Sequence, residues 1–390
     1  MGEWKEYKLG DIADIIPGFA FKSKDFGLVG EYVVKIKDII PPCINIMSAD
    51  KVDISEYNAS RLEKYILHEG DYVVAMTGAT IGKVGKLKVK VKAFLNQRVA
   101  KIKAKDGICD NFIYYMLCTD DFQGFIQNNI DSNSAQENIS ANSIARFPVL
   151  LPSISEQKHI ASILTSLDDK IDLLHRENAT LEAMAETFFR QLFIEDAKDS
   201  WEEGNISDLI EFNPTRKLVK GKVASYLEMS NLSTSTYAPT YWYDRAFTSG
   251  SKFENGDTLL ARITPCLENG KTAYVDFCND GEIGWGSTEF IVMRSKFGLH
   301  PFFSYIVAKY RDFREYAKLC MSGSSGRQRV DVENLKNYPI YIPSEDVIDK
   351  LNSILESIVL KMQVNNMQIR SLVSERDILL PKLMSNEINI

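Results

Sequence analysis

Two stretches of the chain carry the same heptad pattern 191 residues apart, and this repeat constrains the fold more than any other feature. In the first stretch, Ile160, Leu164, Leu167, Ile171, Leu174, Asn178, Leu181, Ala185, Phe188 and Leu192 follow one another in alternating steps of four and three. Adding 191 gives Leu351, Leu355, Ile358, Met362, Asn365, Ile369, Leu372, Arg376, Leu379 and Leu383. Such alternation over four heptads is a coiled-coil seam rather than a broad amphipathic face. Ser153 with Glu156 forms a capping box at the first helix start, and Ser344 before Glu345 and Asp346 gives the second a similar start. Pro381 should disturb the last turn of the second helix, because proline removes a donor and clashes inside a helix.

The blocks before these helices repeat as well. Ile139 to Pro152 realigns with Val330 to Pro343 at offset 191, and Glu69-Gly70-Asp71 realigns with Asn255-Gly256-Asp257 at offset 186. Trp4 opens one copy and Trp201 the other. The expected organisation is a block at 1–152, a helix at 153–197, a second block at 198–343 and a second helix at 344–390. A helix of that length spans roughly 60 Å. With only a short linker before Trp201, an antiparallel pair lets the second block start and finish at the same place, whereas a parallel pair would stretch it along the helix. Antiparallel pairing is therefore expected, the alternative being that each helix seeks a partner in another chain. Asn178 and Asn365 fall near mid-helix at core positions and are candidates for fixing register.

Both blocks read as mixed α/β. Residues 83–105 hold nine basic side chains and no acidic one. Alternation over 84–92 places Lys86, Lys88, Lys90 and Lys92 on one strand face, and a second strand, 99–104, sets Lys101, Lys103 and Lys105 alike. Such a face fits a phosphate backbone, and it equally fits a solvated edge protected from aggregation. In the second block, Lys309, Arg311, Arg314 and Lys318 lie on one expected helix, followed by the Gly/Ser run 322–326 and Arg327-Gln328-Arg329. Arginine and glutamine read guanine and adenine edges in the major groove, while a run this small-residued is also compatible with an ordinary mobile loop. The net charge of −7 does not exclude DNA, because residues 156–195 and 344–390 contribute −4 and −2 of it.

Other chemistry lacks motifs. The six cysteines are scattered without a CxxC pair and no two histidines stand at HxxxH spacing, so no metal and no cofactor is expected. A reducing cytoplasm is the natural setting. No apolar run reaches the length of a membrane span. The Pro41-Pro42 pair lacks the flanking residues of an adenine amino-methylation tetrapeptide, and neither GxGxxG nor a Walker loop is present.

Gly70-Asp71 through Gly85, Gly256 through Lys271, Gly286-Ser287-Thr288-Glu289-Phe290, Gly323 through Val330, and Pro152 through Ala161 together resemble the specificity (S) subunits of type I restriction-modification enzymes. The resemblance covers nearly the whole chain. It implies an α+β chain with two tandem target-recognition domains, each followed by a long helix, the helices forming an antiparallel coiled coil with pseudo-two-fold symmetry. It implies a non-catalytic subunit that binds double-stranded DNA at a bipartite, gapped site. Two methyltransferase (M) subunits would dock on the helices and flip the target adenines, and restriction (R) subunits would join them. Candidate DNA contacts are Lys83, Lys86, Asn96, Gln97, Arg98, Gln136 and Asn138 in the first domain. In the second they are Arg262, Lys271, Glu289, Arg327, Gln328 and Arg329. Two other readings stay open at this point: a coiled-coil scaffold without DNA specificity, and a DNA methyltransferase with a divergent active site.

Overall fold

A computed structural model of the chain describes residues 4–130, 137–198, 200–239, 241–296, 298–324 and 326–388. The chain forms two compact units, one of residues 1–169 with 372–390 and the other of residues 170–371. Each unit therefore holds one block, one end of the first long helix (Ile154–Phe189) and one end of the second (Glu345–Met384).

The repeat is visible in the sheets. In the first unit, strands Ala13–Pro17, Val99–Ala104, Tyr72–Ala75 and Val84–Lys86 lie side by side and antiparallel. In the second, Ile210–Phe212, Phe290–Ser295, Thr258–Ala261 and Thr272–Tyr274 stand in the same order and sense. Each unit adds another sheet with a parallel pair, Glu31–Val34 beside Ala93–Leu95 in one and Val223–Leu227 beside Gly284–Gly286 in the other. The central strands Tyr72–Ala75 and Thr258–Ala261 are buried along their whole length, as a run of apolar residues between two covered faces must be.

The first and last strands of each block pair with each other. Lys5–Lys8 runs antiparallel to Pro148–Leu151, and Glu202–Asn205 runs antiparallel to Pro339–Ile342. Each block thus ends beside its own beginning and hands the chain to a long helix there. Ser153 caps the first helix through the N–H of Glu156 at 3.3 Å. The Glu156 carboxylate accepts instead from the Trp4 indole at 3.1 Å, so it ties the helix to the opening of the block. Gln157, almost wholly buried, accepts from the Cys109 N–H at 2.9 Å and donates to the Pro152 carbonyl at 2.9 Å.

Within each unit the helix pair is antiparallel. In the first, Arg376 donates to Asp168 at 3.1 Å; in the second, Asn365 donates to Asn178 at 2.9 Å and Lys361 pairs with Glu177 at 3.2 Å. Ile160, Leu164 and Leu383 enter the core of the first unit; Ala185, Leu351, Leu355 and Met362 enter that of the second. The helix continues through Pro381 to Met384, contrary to expectation, because Leu379, Leu380, Leu383 and Met384 pack against the core and hold that turn.

Three further expectations are corrected. The strand expected over 84–92 ends at Lys86, where Leu87 turns inward and exchanges backbone bonds with Gly70 and Asp71, so no continuous lysine face forms. Lys101 is buried in its strand and donates to the Ile66 carbonyl at 2.8 Å, while Lys105 donates to the Gly10 carbonyl at 2.6 Å. The basic helix of the second block is two helices, Phe303–Lys309 and Arg311–Leu319, broken at Tyr310.

Candidate nucleic-acid interface

In both units the central strand runs out of the sheet into a loop, and two other segments converge on that loop through matching backbone bonds. In the first unit, the Met76 N–H donates to the Arg98 carbonyl at 2.9 Å and the Met76 carbonyl accepts from Ile139 at 2.9 Å. The Gly78 N–H donates to Glu137 at 3.0 Å, and Thr77 bridges to Asn138. In the second unit, Arg262 donates to the Glu289 carbonyl at 3.0 Å and accepts from Val330 at 2.8 Å. Thr264 donates to Gln328 at 3.1 Å, and Ile263 bridges to Arg329. Every partner maps onto its counterpart at the sequence offsets of 186 and 191. Position 98 therefore corresponds to 289 and position 138 to 329.

The same backbone frame carries different side chains. The first unit presents Arg98 and Asn138, the second Glu289 and Arg329. Arg329 donates through Nε to both oxygens of Glu289 at 2.9 Å each, and through Nη2 to Oε1 at 2.7 Å. That carboxylate favours the charged guanidinium and raises its pKa further. Among the described residues, four polar side-chain atoms buried around the two loops have no hydrogen-bond partner: Thr77 Oγ1, Thr80 Oγ1, Arg262 Nε and Thr264 Oγ1. Buried polar atoms are normally paired, so the loops differ from a sealed core.

The other candidates divide by what already engages them. Gln97 and Arg98 are exposed on the turn between Asn96 and Val99, closed by the Val99 N–H on the Asn96 carbonyl at 2.9 Å. Asn96 itself is buried and bridges to Phe19. Lys83 is exposed, and its carbonyl accepts from Ala75 at 2.9 Å; the Lys271 carbonyl accepts from Ala261 at 3.1 Å in the same manner. The Lys271 ammonium is spent inside the second unit, on the Met229 carbonyl at 2.8 Å. Lys86 donates to Asn111 at 2.7 Å and lies 4.9 Å from the Tyr114 ring centre, where burial lowers its pKa. Arg262 donates to the Val330 carbonyl at 2.9 Å. Arg327 is exposed beside Gly326, and Gln328 is half-buried. Gln136 lies outside the described residues.

Sequence reasoning missed the role of the repeated Gly-Asp pair. Gly70 and Gly256 have φ of +92° and +89°, a conformation that favours glycine. Asp71 accepts from the His68 N–H at 2.9 Å and Asp257 from the Glu254 N–H at 2.8 Å, closing the same turn. Asp257 also takes Arg216 and Arg294 at 2.8 Å each. The motif builds the approach to the central strand. Its signal was the repetition of the tripeptide itself.

The type I restriction modification DNA specificity domain matches residues 1–183 and again 198–373. The chain belongs to this family. Family members are the non-catalytic, DNA-recognising subunits of their enzymes. The specificity subunit of type I restriction enzyme MjaIX from Methanocaldococcus jannaschii is 21% identical over 421 residues, covering 100% of this chain and 94% of that protein. The EcoAI specificity subunit from Escherichia coli is 31% identical over 160 residues, 37% of this chain and 26% of that protein. The fold is that of the type I S subunit from M. genitalium, with a TM-score of 0.56 at 17% identity over 98% of this chain and 96% of that one. Among the described residues no helix is long and apolar enough to cross a membrane, and no cluster of three metal-ligating side chains occurs.

Proposed function

We infer that this specificity subunit reads a bipartite, gapped DNA site, one half with residues 1–152 and the other with residues 198–343. The segments 153–197 and 344–390 act as spacers, on which two methyltransferase subunits dock; restriction subunits complete the enzyme, which works in the cytoplasm. The observation that carries this reading is the frame built twice with different side chains. Identical backbone bonds offer Arg98 with Asn138 in one unit and Glu289 with Arg329 in the other. A shared frame gives two blocks the same manner of approach to a duplex, and unlike side chains give them unlike base preferences. The exposed candidates Lys83, Gln97, Arg98 and Arg327 suit phosphate or base contact. The family supports neither a scaffold without DNA specificity nor a methyltransferase.

The test is to express the chain with and without its methyltransferase subunit in methylation-deficient cells and to sequence genomic 6-methyladenine. A gapped, asymmetric motif that appears only with both proteins is the expected result. A soluble complex of the two that leaves no motif would overturn the reading.

A further inference from the structure

Glu289 and Arg329 come from segments far apart in sequence, and both backbones are already fixed before their side chains meet. Glu289 is held through its carbonyl by Arg262 and through its N–H by the Ser287 hydroxyl at 3.1 Å. Arg329 is held by its bridge to Ile263 and its strand pairing with Ser322. The ion pair adds little to the fold, since exposed pairs contribute hardly anything to stability, and Arg329 is exposed while Glu289 is only half-buried. What the pair does set is the direction of the guanidinium.

A guanidinium has five N–H donors in a rigid plane with two usable edges. The carboxylate of Glu289 occupies the Nε–Nη2 edge with both of its oxygens. Among the described residues no hydrogen bond is formed by Nη1. The remaining edge, Nη1 with the outer hydrogen of Nη2, presents two parallel donors. Guanine O6 and N7 are the two acceptors in the major groove that such a fork matches, whereas adenine offers one acceptor and one donor there.

We propose that Arg329 reads a guanine in the half-site bound by the second block, and that Glu289 is the positioning residue that holds its guanidinium ready. The assignment rests on the DNA-recognition reading above. It deepens that reading by naming the base and the edge. Holding the fork before binding lowers the ordering cost when the guanine arrives. The first unit has no such pair, because Arg98 and Asn138 occupy the two equivalent positions. Nothing at that place compels its half-site to carry the same guanine.

The test uses the full chain co-expressed with its methyltransferase subunit, with the 6-methyladenine motif as readout and thermal melting as the check on folding. Arg329→Ala and Arg329→Lys should make one G·C position of one half-site degenerate, with discrimination there falling roughly tenfold or more, and leave the other half-site intact. Lysine keeps the charge but lacks the fork, so its failure to restore the guanine separates base reading from phosphate contact. Glu289→Gln should keep guanine at that position with weaker discrimination. Uniform weakening with every position of both half-sites retained in Arg329→Ala would overturn the proposal. So would a change confined to Glu289→Gln that releases a cytosine, which would make Glu289 the reader. A wild-type chain that yields no bipartite motif would instead defeat the underlying DNA-recognition reading, so the two failures are distinguishable.

Discussion

Asn365 donates its side-chain amide to the side-chain oxygen of Asn178 at 2.9 Å, with both residues buried at core positions of the helix pair. Asn365 also donates to Glu177 at 3.1 Å, and Asn178 donates to Asn366 at 3.3 Å. The cluster is incompletely satisfied, since Asn365 Oδ1 and Asn366 Nδ2 have no partner among the described residues. A polar pair of this kind costs stability relative to leucine and favours one register. Replacing Asn178 alone by leucine should destabilise the chain by about 1–3 kcal/mol, because the Asn365 amide loses its buried acceptor. Replacing both by leucine should recover that loss and raise the melting temperature while loosening the register. Zero-length carbodiimide coupling of Glu177 to Lys361, now 3.2 Å apart, reads the register directly and should fall in the double variant. An unchanged melt and cross-link in Asn178→Leu would remove the asparagines from this role.

The two copies of the Gly-Asp turn should respond unequally to mutation. Asp257 is wholly buried between Arg216 and Arg294, and Arg216 is itself almost inaccessible. Burial raises the Asp257 pKa, and the two arginines pull it back. Asp257→Ala removes the buried carboxylate shared by two arginines and leaves Arg216 only Glu254 at 3.4 Å, so it should cost about 3–5 kcal/mol in urea unfolding. Asp71 is partly exposed and has Lys101 at 3.4 Å, so Asp71→Ala should cost less, about 1–3 kcal/mol. Equal losses would mean that both aspartates act only through the turn.

Burial pushes the thiols of Cys118 and Cys278 up to about 12, from an ordinary value of 9.0. Both should remain protonated at pH 8; Cys278, which is buried where Cys118 is half-buried, should resist iodoacetamide in the native protein and react fully in urea, as intact-mass measurement would show. The folded state keeps protons that the unfolded chain releases. Stability should therefore be unaffected below about pH 9 and fall as pH rises from there towards 12. Cys118→Ala should reduce that slope. Rapid labelling of Cys278 at pH 8 would contradict its burial.

The heptads were legible because a seam repeats one simple rule over more than four heptads, and the antiparallel pairing followed from the short link before Trp201. The repeat offsets make the bridges from Thr77 to Asn138 and from Ile263 to Arg329 equivalent, although neither bridge was itself legible in the sequence. The lysine stripe was not legible. Alternation reports which side chains share a face only while the strand lasts, and this one turns inward at Leu87. Nor could spacing show that Lys101 is buried against a carbonyl, or that Arg329 meets Glu289 across forty residues. Those contacts depend on which loops the sheets bring together.

If each block reads its own half-site, exchanging one block exchanges half of the motif. A chain in which residues 198–343 are replaced by a second copy of residues 1–152 is expressed with the methyltransferase subunit, and its 6-methyladenine motif is sequenced. The expected motif is an inverted repeat of one original half-site, with the other half-site gone. Retention of the original asymmetric motif by that chain would contradict it.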